Sequence, residues 1–306
     1  MWQPEPGWER LPTGPSSVGA WAADIGGHRV VVKRFERPGP HDATVLDDPG
    51  HPAYWRRDVD VAASGAVEHT PGLRGLPAVE VEEDADGATV VTPWVDEVAH
   101  DGLCLARGLG RFATATVPRV DWLARSQFAL RVGEVERRGG WATLARTPVA
   151  DLADAVWRRR GQVVARLTEL PWVLQHGDPV PANLRGRQDD TILAIDWSSL
   201  GVGPAGADLG YLALSVPEDL EDLLSAYLDG LGHRDDAVPG AGRGDVAFAA
   251  RAVVTYTVLT RADWALARVA GGEGALAGKF RHPSVAPYIR AMQRHLPHVV
   301  AVAQGG

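Results

Sequence analysis

Between Leu174 and Leu184 the chain reads LQHGDPVPANL, and ILAIDW follows at 192–197. His176, Asp178, Asn183 and Asp196 carry the polar chemistry of this stretch. Prolines at 179 and 181 exclude a helix there, so Asp178 stands on a constrained loop after a strand expected at VLQH. A carboxylate on such a loop can align a bound hydroxyl and accept its proton. Taken alone it reads as a turn-stabilising Asp. Asn183 offers an amide oxygen to a divalent cation, or serves as a loop amide. Asp196 ends a short apolar run, where an unpaired carboxylate is costly; it could also simply start the turn before WSSLG. Oxygen donors of this kind suit Mg²⁺, with phosphates and waters completing its shell. The three together, in this order, favour chemistry over accident.

The elements that must position these groups change character along the chain. Up to about residue 93 the pattern is strands and turns. VGAWAADI (18–25), the turn GGH and RVVVKRF (29–35) predict a hairpin, and 76–84 with 88–95 predict a second. A helix is expected from about Pro52 to Ser64. Beyond about 98 the pattern turns helical, notably in VDWLARSQFALRVGEVERR, at 150–170 and in VAFAARAVVTYTVLTRADWALARVA, interrupted by short strands at WVLQH and TILAID. The expected division is a strand-rich lobe over 1–93 and a helical lobe over 94–306, with the joint near Thr92–Asp96. A cleft between lobes is a default ligand site.

Bulk composition narrows the function. The formal net charge of −8 argues against nucleic-acid binding. The single cysteine, Cys104, excludes an intramolecular disulfide or a cysteine metal cluster. The N-terminus lacks the basic start and apolar run of a signal peptide, and no run of 18 apolar residues predicts a membrane span. A cytoplasmic protein is expected; monomer and homodimer both stand.

The order H176-G-D178-P-V-P-A-N183, then I195-D196-W197, resembles the aminoglycoside phosphotransferase and choline kinase-like family. That resemblance implies an α+β, two-lobed protein-kinase-like fold. It implies Asp178 as catalytic base, Asn183 and Asp196 as magnesium ligands, and His176 as support beneath the loop. Asp208, in GPAGADLG, would bond back to that loop; it could equally cap the helix that follows. Lys33, in the VVVKRF run, would contact the α- and β-phosphates of ATP, with GTP an open alternative. The family's glutamate partner for this lysine is replaced in YWRRDVDV by Asp58, shorter by about 1.5 Å, with Asp60 the second choice. Ser16 and Ser17, in TGPSSVGAW, would cover the phosphates. Trp94, Val95 and Asp96 would form the hinge that meets the nucleotide base.

The resemblance implies transfer of a phosphoryl group to a hydroxyl of a small molecule such as an aminoglycoside, an amino alcohol or a sugar. The HGD form, without the arginine that protein kinases place before the Asp, favours a small acceptor. A nucleotide-binding regulator without turnover and a kinase of proteins are the competing readings. Glu218, Asp219, Glu221 and Asp222, or Asp263 with Trp264, could receive a cationic acceptor, or could be helix-start acids and a packed helix face.

Overall fold

A computed structural model describes residues 2–13, 17–139, 150–232, 242–269 and 286–295, with 298 and 302. The first predicted hairpin forms from β2 (Gly19–Ile25) and β3 (His28–Glu36). Gly26 and Gly27 make the turn, at φ 58° and 79°, values that cost glycine nothing. With β1 (Glu9–Leu11), β5 (Glu80–Glu83) and β6 (Gly87–Pro93) they build a five-stranded antiparallel sheet ordered β1-β2-β3-β6-β5. Alternation along β3 decides which side chains face the site. Val30 and Val32 are buried with Ala23 and Val91 under Trp2 and Trp8. Val31 and Lys33 point to the other face and line a cavity.

Helix α1 runs Arg57–Ser64, five residues shorter at its start than expected. The carbonyls of Pro49, His51 and Pro52 accept from the Arg57 guanidinium, so the preceding residues turn instead of joining the helix. A short strand, β4 (Leu73–Arg74), leaves this region and pairs in parallel with β9 (Thr191–Ala194).

The rest is mostly helical, which makes the chain the expected α+β fold, a strand-rich N-terminal lobe joined to a helical C-terminal one. Helix α2 (Gly102–Phe112) is capped by Asp101, whose side chain accepts from the Cys104 N–H. Helix α3 spans Gln127–Arg138, later than the pattern suggested. Ala124 instead bridges Gly201, and its backbone bonds with Leu200 and Val202 hold the segment extended. The region expected as one helix at 150–170 is two, α4 (Ala150–Arg158) and α5 (Arg160–Glu169). Two small strand pairs follow. β7 (Trp172–Gln175) pairs with β10 (Gly201–Pro204), and β8 (Leu184–Gln188) pairs with β9. Helices α6 (Ala207–Leu212), α7 (Leu220–Leu231), α8 (Arg243–Val269) and α9 (Ala286–Arg294) complete the chain. The main core joins α2, α6 and α7 to the strands under the loop, with Leu105, Leu174, Leu184, Leu209 and Leu223 at its centre. Among the described residues no helix is long and apolar enough to cross a membrane.

His295, just past α9, is 3% exposed, and its Nε2 has no hydrogen-bond partner among the described residues. Burial, with Arg294 close by, pushes its pKa down to about 4. The unfolded chain therefore binds the extra proton first, between about pH 6.5 and the folded value, so stability falls as pH drops through that window. Denaturant melts at pH 7 and pH 4.5 should differ by roughly 1–3 kcal/mol more in the wild type than in His295→Gln. Equal pH dependence in the two proteins would disprove the assignment.

Candidate active site

The loop His176–Asn183 runs from β7 to β8 and is tied down at both ends. Buried Asp208 accepts from the backbone N–H of His176 (2.7 Å) and of Gly177 (3.1 Å). It does not cap α6, whose N-cap is Gly206. Burial pushes its carboxyl up, against the pull of those N–H groups and of Arg131. The fully buried His176 ring stacks on Trp197 with centroids 4.6 Å apart. The Asp178 N–H donates to His176 Nδ1 (3.3 Å), so Nε2 carries the proton and donates to the Ile195 carbonyl (3.1 Å). His176 thus joins the loop to the strand that brings Asp196.

Gly177 sits at φ 82°, and a Cβ there would lie 2.3 Å from the Ser199 carbonyl oxygen. No side chain fits, which explains why glycine precedes Asp178. Asn183 Nδ2 donates to the Asp178 carbonyl (3.0 Å) and to Asp178 Oδ2 (3.3 Å), which commits its nitrogen and leaves the amide oxygen free to accept. Asp178 Oδ1 is buried without a hydrogen bond among the described residues; Arg261 Nη2 lies 3.7 Å away.

A cavity of about 490 Å³ opens between the five-stranded sheet and this loop region, and Lys33, Asp58, Asn183, Asp196 and Trp197 all line it. Lys33 Nζ is 2.6 Å from Asp58 Oδ2 and 2.8 Å from Asp196 Oδ1. Burial alone would push Lys33 down, but the two carboxylates outweigh it and hold the ammonium above the usual lysine range. For Asp196, burial pushes up, and the Lys33 charge and hydrogen bond win, so its carboxyl lies below the usual range. Asp196 adopts a left-handed backbone, φ 59°, a cost for a non-glycine residue that is tolerated where the surroundings over-determine it.

Asp58 reaches the lysine despite its short side chain. Its Oδ1 accepts from the Trp197 N–H (3.2 Å), which draws α1 onto the Asp196 segment. Asp60 is occupied elsewhere, 2.9 Å from Arg56. The residue that sequence reading passed over is Arg57, fully buried and donating to the carbonyls of Pro49, His51, Pro52, Trp122 and Ser198. Its signal was an arginine four residues before Val61, on the buried stripe of α1.

The outer parts of the expected site are arranged differently. Trp94 and Val95 line the cavity, and Asp96 does not. The Trp94 N–H donates to Arg29, which removes it as a donor to a base, and its indole N–H donates to Asp96 Oδ1. Ser16 lies outside the described residues. Ser17 does not line the cavity; Leu11 at the end of β1 and Pro12 and Thr13 after it do. Three of the acids considered for a cationic acceptor are engaged. Asp263 pairs with Arg138 (2.7 Å), Glu221 with Arg251 (3.0 Å), and Glu218 accepts from the Gly102 N–H (2.8 Å).

Among the described residues no three His, Cys, Asp or Glu side chains are grouped to hold a metal ion by themselves. Asn183 and Asp196 on the cavity wall, one amide oxygen and one carboxylate, suit instead a hard cation that takes its other ligands from phosphates and water.

The family model described as the phosphotransferase enzyme family matches residues 66–244. No curated protein sequence matches the chain. Solved structures match in fold across nearly the whole length. A choline/ethanolamine kinase family protein from Mesorhizobium loti has 18% identity and a TM-score of 0.53, over 95% of this chain and 92% of that one. An aminoglycoside phosphotransferase from Alicyclobacillus acidocaldarius has 17% identity and a TM-score of 0.55, over 97% and 92%. A thermostable mutant of aminoglycoside phosphotransferase APH(4)-Ia, in ternary complex with ADP and hygromycin B, has 13% identity and a TM-score of 0.60, over 97% and 94%.

Proposed function

The chain belongs to the phosphotransferase enzyme family, and from that membership we propose that it transfers the γ-phosphoryl group of ATP, or of GTP, to a hydroxyl of a small molecule. Aminoglycosides, amino alcohols and sugars are the acceptor classes that the relatives' descriptions and the HGD loop suggest. The observation that carries the reading is convergence on one cavity. Lys33, Asp58, Asn183 and Asp196 come from separate elements and all line it, and Asn183 is bonded to Asp178.

The contacts support the following division of labour. Residues 1–93 serve as the nucleotide lobe and 94–306 as the hinge and acceptor lobe. Asn183 and Asp196 would hold Mg²⁺, which when bound neutralises phosphate charge. Lys33 exchanges its pairing with Asp196 for the α- and β-phosphates, while Asp58 keeps it aimed. Asp178 aligns the acceptor hydroxyl and takes its proton as the phosphorus–oxygen bond forms. Catalysis is then largely positioning and electrostatics in a closing cleft.

The test is ADP release by the full-length protein with Mg²⁺ and either ATP or GTP, across aminoglycosides, other hydroxylated antibiotics, amino alcohols and sugars. Acceptor-dependent release is expected. Nucleotide binding with no acceptor-dependent release would favour a regulatory protein, and labelled polypeptide in a lysate would favour a protein kinase. Within the same reading, Asp58→Ala should weaken nucleotide binding about tenfold, the worth of roughly one pairing interaction. Titration calorimetry with Mg-ADP checks this; an unchanged Kd would show that Asp196 alone positions Lys33.

A further inference from the structure

Behind the catalytic loop lies a group of hydrogen-bond donors, two of which, the Tyr211 hydroxyl and the Trp172 indole N–H, lack acceptors among the described residues. Arg131 of α3 and Arg261 of α8 both stack on the Tyr211 ring, with Cζ 5.1 Å and 5.2 Å from its centroid. Arg131 Nη2 is 3.4 Å from the Gly177 carbonyl, at the outer limit of a hydrogen bond, and Arg261 Nη2 is 3.7 Å from Asp178 Oδ1. Tyr211 is 4% exposed, and its hydroxyl is buried with no partner among the described residues; the Trp172 indole N–H is in the same position. Arg131, Trp172, Gly177 and Tyr211 border one cavity of about 60 Å³, room for a small head group.

The chemistry of this cluster is one-sided. A guanidinium and an indole only donate, and a phenol readily donates. Two neighbouring cations destabilise each other unless anions stand beside them. Burial, and then the charge of Arg261, lower the Arg131 pKa to about 10. Of the nearby carboxylates, Asp208 has both oxygens on backbone N–H groups, and Asp178 faces Arg261 without a hydrogen bond. Of the acids that could greet an ammonium group, Asp263 is paired with Arg138 and Glu221 with Arg251.

We infer that the acceptor carries an oxyanion, a carboxylate or a phosphate ester, close to the hydroxyl that is phosphorylated, and that Arg131, Arg261, Tyr211 and Trp172 receive it. This rests on the phosphotransfer reading above and names the substrate class of that site. The step balances as acceptor hydroxyl plus ATP giving phosphate ester, ADP and a proton. The acceptor oxygen–phosphorus bond forms, the bond from γ-phosphorus to the β,γ-bridging oxygen breaks, and Asp178 takes the proton. The two arginines fix the acceptor so that its hydroxyl meets Asp178, and they repel a cationic amino alcohol.

Two measurements on the full-length protein test this. The first is titration calorimetry in saturating Mg-ADP with glycerate, glycerol 3-phosphate, glycerol and choline. At least one of the two anions should bind about tenfold or more tightly than glycerol and choline, as expected for charge-assisted hydrogen bonds. Which anion wins identifies carboxylate or phosphate ester as the source. That preference should vanish in Arg131→Gln and Arg261→Gln while Mg-ADP affinity holds. Tyr211→Phe, which removes only the unpartnered hydroxyl, should weaken the anion severalfold and keeps the test decisive if an arginine variant fails to fold. Choline binding as tightly as the anions, no anion binding in the wild type, or a preference that survives these substitutions would overturn the inference. The second is ADP release with the same compounds and with kanamycin. Turnover of neutral or cationic acceptors alone, lost in Asp178→Ala, would leave the kinase reading intact and remove this one. Anion binding that depends on the arginines, with no phosphotransfer to any acceptor, would remove the kinase reading and with it the acceptor role of the site.

Discussion

Asp178→Ala is expected to lower turnover by about 10²- to 10⁴-fold, the usual worth of a positioned general base, with little change in nucleotide affinity. The two effects separate because the groups occupy different places. Lys33, Asp58, Asn183 and Asp196 line the large cavity; Asp178 does not, and is bonded to Asn183. The loop should survive the change. Asn183 still donates to the backbone carbonyl of residue 178, the backbone N–H there still donates to His176, and Asp208 still holds His176 and Gly177. Asp178→Asn keeps the shape and loses the proton acceptor, so it should fall almost as far as the alanine variant. Steady-state ADP release together with Mg-ADP calorimetry reads both quantities. A kcat within a few-fold of wild type would take the catalytic role away from Asp178. A large loss of nucleotide affinity would mean that the substitution had disturbed Asn183.

Arg57→Ala is expected to cost roughly 3–5 kcal/mol of stability, in the range for breaking a buried charged network. Five carbonyls, of Pro49, His51, Pro52, Trp122 and Ser198, accept from one guanidinium at 2.7 to 3.0 Å. They belong to three stretches of chain distant in sequence, and removing the donor leaves the buried Trp122 carbonyl and four part-buried ones facing an empty volume. Burial lowers the Arg57 pKa to about 10, so it remains charged at neutral pH. Lysine cannot substitute. It brings three donors on a point charge where five flat N–H groups are used in several directions. Arg57→Lys should therefore lose most of the same stability. Because Ser198 lies two residues beyond Asp196, both variants should also bind Mg-ADP more weakly. Denaturant unfolding is the measurement, and a loss under about 1 kcal/mol in Arg57→Ala would show that water replaces the guanidinium at these carbonyls.

Sequence and structure divide the explanation of this site between them. Whatever depends on near neighbours was legible in the residues. The Gly-Gly turn, the β-branched run of β3 and the alternation that puts Val32 inside and Lys33 on the cavity face follow from backbone freedom and a period of two. The prolines of the catalytic loop and the apolar run before Asp196 likewise act within a few residues. Where distant chain competes with local preference, the sequence pattern misled. Residues 120–126 carry helical periodicity, yet Ala124 bonds to Leu200 and Val202 and stays extended, because a strand contact inside the core outweighs a weak propensity. The start of α1 moved for the same reason, its carbonyls drawn to Arg57.

The sequence by itself determined the family pattern and the groups proposed to act: one loop aspartate, two oxygen donors and a strand lysine. Only the tertiary structure decided that Asp58 suffices where a longer acid was expected, since reach depends on how α1 docks and Trp197 sets that docking. It alone placed Arg131 and Arg261 around Tyr211, beside Asp178. Such contacts join residues scores of positions apart, and their geometry is set by packing, which no local spacing encodes.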